Sequence, residues 1–335
     1  YEDAPSGAFR LILGLENAAM FTKLTSYVKG GATLAIGDTP LIGLDKIHHG
    51  SGRLLAKMEY LQPGGSVKDR TALRCIQDAY AYGRLTTGQP VIEATSGNMG
   101  AGLAIVCAAT ENPFIAVMSE GNSPARAAML KALGAEVLLV PQVNGTPGKV
   151  TGADWVAVEE MARRIAIEQN AFFVDQFHND SGILAHQEGT GPEIWRATQG
   201  RMDAFVACVG SAGSFIGVAR FLKQQNPGIL CVAVEPEGAQ ILAGKTVVKA
   251  THIIQGTGYG LIPAHWDPAL ADAYLAVSDA EVLRTTAELA RQEGLFVGYS
   301  AGANVCAANN LLASGLLPAD ATVVTLLCDT GFKYI

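Results

Sequence analysis

At 335 residues, with 49% of them hydrophobic and only 16% charged, the chain has the length for two α/β domains and is too apolar to be disordered. Its net charge of −7 is spread without blocks, which argues against nucleic acid or an anionic membrane as partner, because both reward clustered Lys and Arg. The six cysteines form no CxxC pair and sit mostly in apolar runs, the six histidines show no ligand spacing, and the opening YEDAPSGAFR lacks a basic start followed by an apolar core. No apolar run approaches the roughly 20 residues of a membrane span. These features describe a soluble cytoplasmic protein with reduced core cysteines and no metal.

Residues 1–35 carry no motif and read as an extension that packs on the body or on a neighbouring subunit. From Thr39 the pattern becomes regular. TPLIGL and LLAKMEYL read as short strands, the second leading into PGGSVKDR at 63–70. There Pro and Gly break the chain, Ser66 is a good N-cap, and Asp69 stands three residues on, where a capping box places its acid. Apolar positions at Ala72, Cys75, Ile76 and Ala79 continue a helix toward Gly83. Lys68 falls in its first turn, at the positive end of the helix dipole, a placement that costs an exposed cation about 0.3–1 kcal/mol.

QPVIEA is a strand, SGNMG a turn and AGLAIVCAATE a helix; PFIAVMS, SPARAAMLKALG and AEVLLVP repeat the alternation. QVNGTPGKVTGAD is a loop and WVAVEEMARRIAIEQ a helix. AFFVDQF opens a second series, with GPEIWRATQ helical, AFVACVG a strand, SFIGVARFLKQQ a helix and LCVAVEP a strand. DAEVLRTTAELARQEG and GYSAGANVCAANNLLASG are helices, and ATVVTLLCDTG is a last buried strand. Strand and helix alternating in this way means parallel strands with helical crossovers.

Three loops share one design, a buried strand followed by Gly, Ser, Thr or Asn and then a helix start: EATSGNMG at 93–100, GSAGS at 210–214 and GYSAG at 298–302. Such loops aim backbone amides at anions, although each by itself is equally good strand-to-helix punctuation. The second, with Glu235 downstream, imitates a dinucleotide site, but Gly210, Gly213 and Gly217 do not give GxGxxG, and two serines suit a phosphate monoester better. A lysine beside phosphate loops has a use if it forms an imine with an aldehyde cofactor, since an amine at a positive helix end holds its proton less tightly and stays nucleophilic.

In this order and spacing, PGGSVKDR, EATSGNMG, GSAGS and GYSAGA resemble the fold type II pyridoxal-phosphate enzymes, and within them the cysteine synthase and cystathionine β-synthase family. The resemblance runs from about Gly37 to DTGFKYI at the end of the sequence. It implies an α/β fold of two three-layer α/β/α domains with mostly parallel sheets, tryptophan synthase β-like, with a smaller mobile domain at 61–175. The larger domain would comprise 36–60 and 176–335, with pyridoxal 5′-phosphate at the interface. It implies Lys68 as the Schiff-base lysine and proton carrier, and Asn98 on the cofactor's ring hydroxyl. Gly210, Ser211, Ala212, Gly213 and Ser214 become the phosphate loop, and Ser300 faces the ring nitrogen. Thr95, Ser96, Asn98 and Met99 become the loop that closes on the substrate carboxylate, joined by Gln176, with Gly258 in GTGYG on the substrate side.

The activity implied is β-replacement on an activated L-serine of the O-acetylserine or O-phosphoserine type. It passes through an aminoacrylate intermediate, with sulfide or another small nucleophile as acceptor and a homodimer as the acting unit. A hydroxyl at Ser300 rather than a carboxylate leaves the ring nitrogen largely neutral, which favours loss of the β substituent. Three departures lie near substrate: Met99 where the family has threonine, SPARAAMLKALG in place of its usual mobile-helix start, and Tyr259 where cysteine synthases have a small residue. Cystathionine formation and amine-accepting diamino acid synthesis therefore stay open. So does a serine or threonine dehydratase, whose relatives carry SxKxR and SSGNHA instead. A silent binding scaffold is the reading from another class, opposed by the intact Lys68, Asn98, phosphate loop and Ser300.

Overall fold

The structure is a computed structural model that describes residues 30–48, 50–143, 145, 150–249 and 251–335. The expected extension over 1–35 lies outside these up to residue 29; Gly31–Ala35 forms a 3₁₀ turn. Part of the expected loop QVNGTPGKVTGAD, at 144 and 146–149, also lies outside them. The chain divides into two compact units, one containing Leu73–Val174 and the other Ala35–Ala72 with Asp175–Ile335, so that residues 61–72, Lys68 included, belong to the larger unit.

The larger unit is built on six strands: β1 (Leu41–Gly43), β2 (Arg53–Lys57), β7 (Ala204–Cys208), β8 (Leu230–Pro236), β9 (Ala273–Val277) and β10 (Thr322–Leu326). Their order is β1-β2-β10-β7-β8-β9, parallel throughout except for the antiparallel edge pair of β1 and β2. The central strands read as unbroken apolar runs because both faces are buried. Val206, Val232, Val234 and Val323 pack under the helices Asp279–Glu288 and Tyr299–Ala313, while Phe205, Ala207, Cys231 and Val324 pack under Gly191–Thr198 and Gly213–Gln225. Alternation along each strand thus feeds two helical layers. Gly217 lets the helix Gly213–Gln225 approach its neighbour closely, since a Cβ there would stand 2.3 Å from the Ile183 carbonyl oxygen.

The smaller unit holds a four-stranded parallel sheet in the order β5-β4-β3-β6, from β3 (Val91–Ala94), β4 (Phe114–Ser119), β5 (Glu136–Val140) and β6 (Phe172–Phe173). Helix Gly152–Glu168 covers one face, with Val158, Ala162 and Ile165 against Ile92, Ile115 and Val117. It begins with a full capping box between Thr151 and Asp154.

Three expectations need correction. The strand after His48 stops at Lys57, and MEYL enters a 3₁₀ turn at Glu59–Leu61. Strand β9, AYLAV, is missing from the strands expected of the sequence, although Asp272 before it and Ser278 and Asp279 after it are turn formers. The helix Gly191–Thr198 is the end of a longer helical run that starts at Ser181 and passes through a π turn at His186–Thr190.

Candidate active site

The loops after β3 and β7 leave the carboxyl ends of parallel strands, where open α/β sheets place their ligand sites. The turn of Ser300 instead follows the helix Asp279–Glu288 and a π turn at Leu289–Glu293, and not the buried strand that the sequence predicts. In the larger unit, β7 delivers Gly210–Ser214, and β2 delivers the turn before Lys68.

Lys68 opens the helix Lys68–Ala81, but the start is not the capping box that the sequence predicts. Ser66 Oγ accepts from Lys68 N at 3.3 Å, while the Asp69 carboxylate reaches past Ser66 and accepts the amide of Gly64. The reason lies in the two glycines. Gly65 has φ of 72°, a left-handed turn that folds Gly64 over the helix start, and a Cβ on Gly64 would meet Asp69 Oδ1 at 2.5 Å. The Lys68 side chain then reaches across to the second loop, its Nζ 3.1 Å from Ser211 Oγ.

That loop is shaped for an anion. Ala212 holds φ of 70°, a left-handed conformation that costs a non-glycine residue roughly 1–2 kcal/mol, and the helix Gly213–Gln225 starts directly after it. Among the described residues, the amides of Ser211, Ala212, Gly213 and Ser214 donate to no other protein group. Gly210 is pressed onto the backbone opposite: a Cβ would sit 2.1 Å from the Gly256 carbonyl oxygen. Four amides at a helix head, a hydroxyl and an amine form a donor set that fits a phosphate monoester linked to an electrophile.

Ser300 is buried in the first turn of helix Tyr299–Ala313. One turn on, Asn304 is fully buried; its Oδ1 accepts the Cys208 amide at 2.7 Å, and its Nδ2 donates to Leu326 O at 2.8 Å and to Cys328 Sγ at 3.3 Å. Asn304 thereby ties the Ser300 helix to the ends of β7 and β10. Burial, with Asp329 beside it, pushes the Cys328 thiol up to about 12, so this network is neutral.

Two residues past Lys68, Arg70 enters a buried ionic cluster. Its Nε meets Glu59 Oε2 at 2.7 Å and its Nη1 meets Glu193 Oε1 at 2.6 Å, while Lys57 Nζ meets Glu193 Oε2 at 2.7 Å. Burial alone would raise the Glu193 carboxyl, but Arg70 and Lys57 hold it at about 2. His186 packs beside this cluster. Its burial, with the charges of Arg70 and Lys68, lowers it well below its usual range and keeps it neutral; its ring nitrogens meet Thr190 Oγ1 at 2.9 Å and Thr71 Oγ1 at 3.4 Å. The sequence does not announce this cluster. The available signal is Lys57, a lysine that directly follows the apolar run Leu54–Ala56 and, once buried with it, has to find an anion.

Gln176 and Gly258 also belong to the larger unit. Gly258 has φ of 60°, and its Cβ would meet Pro236 Cγ at 2.6 Å, so the GTGYG turn depends on glycine here. Next to it, Tyr259 is half exposed and stacks edge-on against Phe177, the rings 5.9 Å apart. Thr95, Ser96, Asn98 and Met99 belong to the smaller unit, at the carboxyl end of β3. Thr95 Oγ1 accepts the amides of Gly100 at 3.1 Å and Gly97 at 3.4 Å, which closes the loop upon itself. Met99 is buried, Asn98 begins the helix Asn98–Thr110, and Arg126 Nη1 stands 3.4 Å from Ser96 Oγ. Arg126, in the helix that departs from the family pattern, is a neighbour of this loop that the sequence reading does not identify.

The family of pyridoxal-phosphate dependent enzymes matches residues 32–329. Cysteine synthase A of Escherichia coli is 36% identical over 309 residues, covering 90% of this chain and 93% of that protein. The solved structure of O-ureido-L-serine synthase superposes with a TM-score of 0.83 at 33% identity, covering 91% of this chain and 93% of the other. A hydrogen sulfide-producing enzyme from Fusobacterium nucleatum superposes with a TM-score of 0.84 at 33% identity, covering 92% and 98%. With the amine, the amide-lined loop and the buried serine in the same α/β framework as these relatives, the chain belongs to the family of pyridoxal-phosphate dependent enzymes.

Proposed function

We propose that this protein replaces the β substituent of an activated L-serine, of the O-acetylserine or O-phosphoserine type, with sulfide or another small nucleophile. The observation that carries the reading is the 3.1 Å approach of Lys68 Nζ to Ser211 Oγ beside the amides of the loop 211–214. When bound, pyridoxal 5′-phosphate supplies an electron sink that acidifies the substrate's Cα proton and eases departure of the β group. Lys68 anchors the cofactor and acts as the base that removes that proton and later returns it. Gly210, Ser211, Ala212, Gly213 and Ser214 hold the phosphate, Asn98 the ring hydroxyl, and the Ser300 hydroxyl faces the ring nitrogen. A neutral hydroxyl partner there restrains charge build-up on the ring and favours loss of the β substituent.

Thr95, Ser96, Asn98, Met99 and Gln176 hold the substrate carboxylate, and Gly258 lines the acceptor side. With the Thr95 hydroxyl committed to Gly97 and Gly100, its part is to shape the loop that presents Ser96 and Asn98. A second reading, in which the acceptor carries a carbon chain as a larger thiol or an amine, is favoured by the aromatic edge of Tyr259 on Phe177 beside Gly258. Family resemblance supports a homodimer acting in the cytoplasm, to be checked by light scattering and by fractionation. No helix among the described residues is long and apolar enough to cross a membrane.

The test is a matrix of O-acetylserine, O-phosphoserine and serine against sulfide, homocysteine and small amines, read by mass spectrometry of the amino-acid product. One activated serine should give a replaced product that Lys68→Ala does not form. Elimination to pyruvate with every acceptor would instead identify a dehydratase.

A further inference from the structure

The turn that presents Lys68 is held by a strip of chain that follows β10. Val67 N donates to Cys328 O at 2.8 Å and Thr330 N donates to Gly65 O at 3.1 Å, with Ser66 and Asp329 in an antiparallel bridge. The opposite edge of the same strip pairs with the approach to Ser300. Gly298 N donates to Asp329 O at 2.9 Å, Gly331 N donates to Phe296 O at 3.0 Å, and Val297 bridges Thr330. Residues 328–331 therefore lie between the turn of Lys68 and the turn of Ser300.

Side chains complete the attachment. Lys333 Nζ donates to Gly64 O at 2.6 Å, and the Tyr334 hydroxyl donates to Asp329 Oδ2 at 2.7 Å. The turn has little of its own to hold it: Gly64 and Gly65 carry no side chains and lose more freedom on ordering than other residues. A Cβ on Gly65 would stand 3.0 Å from Thr330 Cγ2, so strip and turn are in close contact there. Beneath the turn, Asp69 is fully buried and its Oδ1 has no hydrogen-bond partner among the described residues. The charges acting on it are Lys333, which favours the carboxylate, and Glu59, which opposes it. One ammonium thus serves both a carbonyl of the turn and the charge under it, and charge-assisted bonds of this kind are the stronger sort.

We propose that Lys333 is a positioning residue for Lys68: by holding the Gly64 carbonyl, it fixes the Gly64–Gly65 turn against the strip that also sets the Ser300 turn. The inference rests on the reading of Lys68 as the cofactor lysine. Its test compares wild type, Lys333→Met and Lys333→Arg for retention of pyridoxal 5′-phosphate in equilibrium dialysis and for the absorption maximum of the bound cofactor. Lys333→Met should retain the cofactor about tenfold less tightly, a decade of affinity being about 1.4 kcal/mol, and should shift the maximum. Lys333→Arg should restore both. Wild-type retention and spectrum in Lys333→Met overturn the proposal.

Should Lys333→Met fail to fold, Lys333→Gln against Lys333→Arg makes the same comparison. Loss in the first with recovery in the second supports the proposal, and any other pattern overturns it. Borohydride reduction of the wild type followed by peptide mapping separates the two levels of argument. A label on a residue other than Lys68 removes the reading of the site, whereas a label on Lys68 with unchanged retention in the variants removes only the role of Lys333.

Discussion

Lys68 Nζ and Ser211 Oγ stand 3.1 Å apart although 143 residues separate them in sequence, joining the first turn of one helix to the loop that opens another. Ser211→Ala removes the hydroxyl and leaves the backbone amides in place, so cofactor retention should weaken by roughly threefold to tenfold, the worth of about one hydrogen bond. Gly210→Ala acts on the backbone itself. Its Cβ would sit 2.1 Å from the Gly256 carbonyl oxygen with no flexible side chain to move aside, so the loop has to shift. Fluorescence titration with pyridoxal 5′-phosphate should show Gly210→Ala as much the weaker binder; equal affinities would mean that the loop does not hold the phosphate.

The ionic cluster behind Lys68 predicts a large effect on stability. Arg70 is flanked by Glu59 and Glu193, both buried, and its removal leaves two carboxylates facing the single ammonium of Lys57. Arg70→Met should therefore cost about 3–5 kcal/mol, the usual penalty for leaving buried charge uncompensated. Urea unfolding of the cofactor-free protein reads this directly, and a loss below about 1 kcal/mol, typical of exposed pairs, would mean that water reaches the cluster.

How much of this was legible in the sequence depends on the range of the interaction. The strand runs AFVACVG and LCVAVEP and the helix after GSAGS are local patterns, and each stands where the sequence places it. The helix start at Lys68 was half legible: Ser66 and Asp69 both serve it, but the left-handed Gly65 sends the Asp69 carboxylate to Gly64 instead of Ser66. No spacing in the chain announces that Glu193 will meet Arg70, or that Thr330 will pair with Gly65, because those contacts follow from the position of β10 between β2 and β7. Strand order is a property of the assembled sheet. A lysine inside a buried strand, as at Lys57, signals that a partner exists without saying where.

In the smaller unit, Thr95 separates loop shape from cofactor binding. Its Oγ1 closes the 95–100 loop by accepting Gly97 and Gly100, and its methyl group limits residue 100 to glycine, where a Cβ would meet Thr95 Cγ2 at 2.9 Å. Thr95→Val keeps the shape and removes the acceptor. Steady-state kinetics should show KM for the activated serine raised by roughly tenfold, with the absorption of the bound cofactor unchanged and Thr95→Ser close to wild type. A cofactor spectrum altered as strongly as KM would tie the hydroxyl to the cofactor instead.

The last prediction concerns pH, where two carboxyls pull stability in opposite directions. Burial raises Asp69 from 3.8 to about 6 against the pull of the Gly64 amide and Lys333, so between these values the folded state keeps a proton that the unfolded chain has released. Stability then falls as pH rises through that window, and above about pH 6 the charged Asp69 costs about 2–3 kcal/mol. Glu193 has the reverse sign. Arg70 and Lys57 overcome its burial and hold it at about 2 against an ordinary 4.5, so its contribution is present above 4.5 and is lost as pH falls toward 2. Urea midpoints for wild type and Asp69→Asn, which keeps an oxygen for the Gly64 amide, isolate the first effect. The variant's advantage should grow between pH 4 and 6 and level off above, within the window that the shift of Asp69 sets. Parallel curves across that range would mean that the Asp69 carboxyl titrates alike in the folded and unfolded chain.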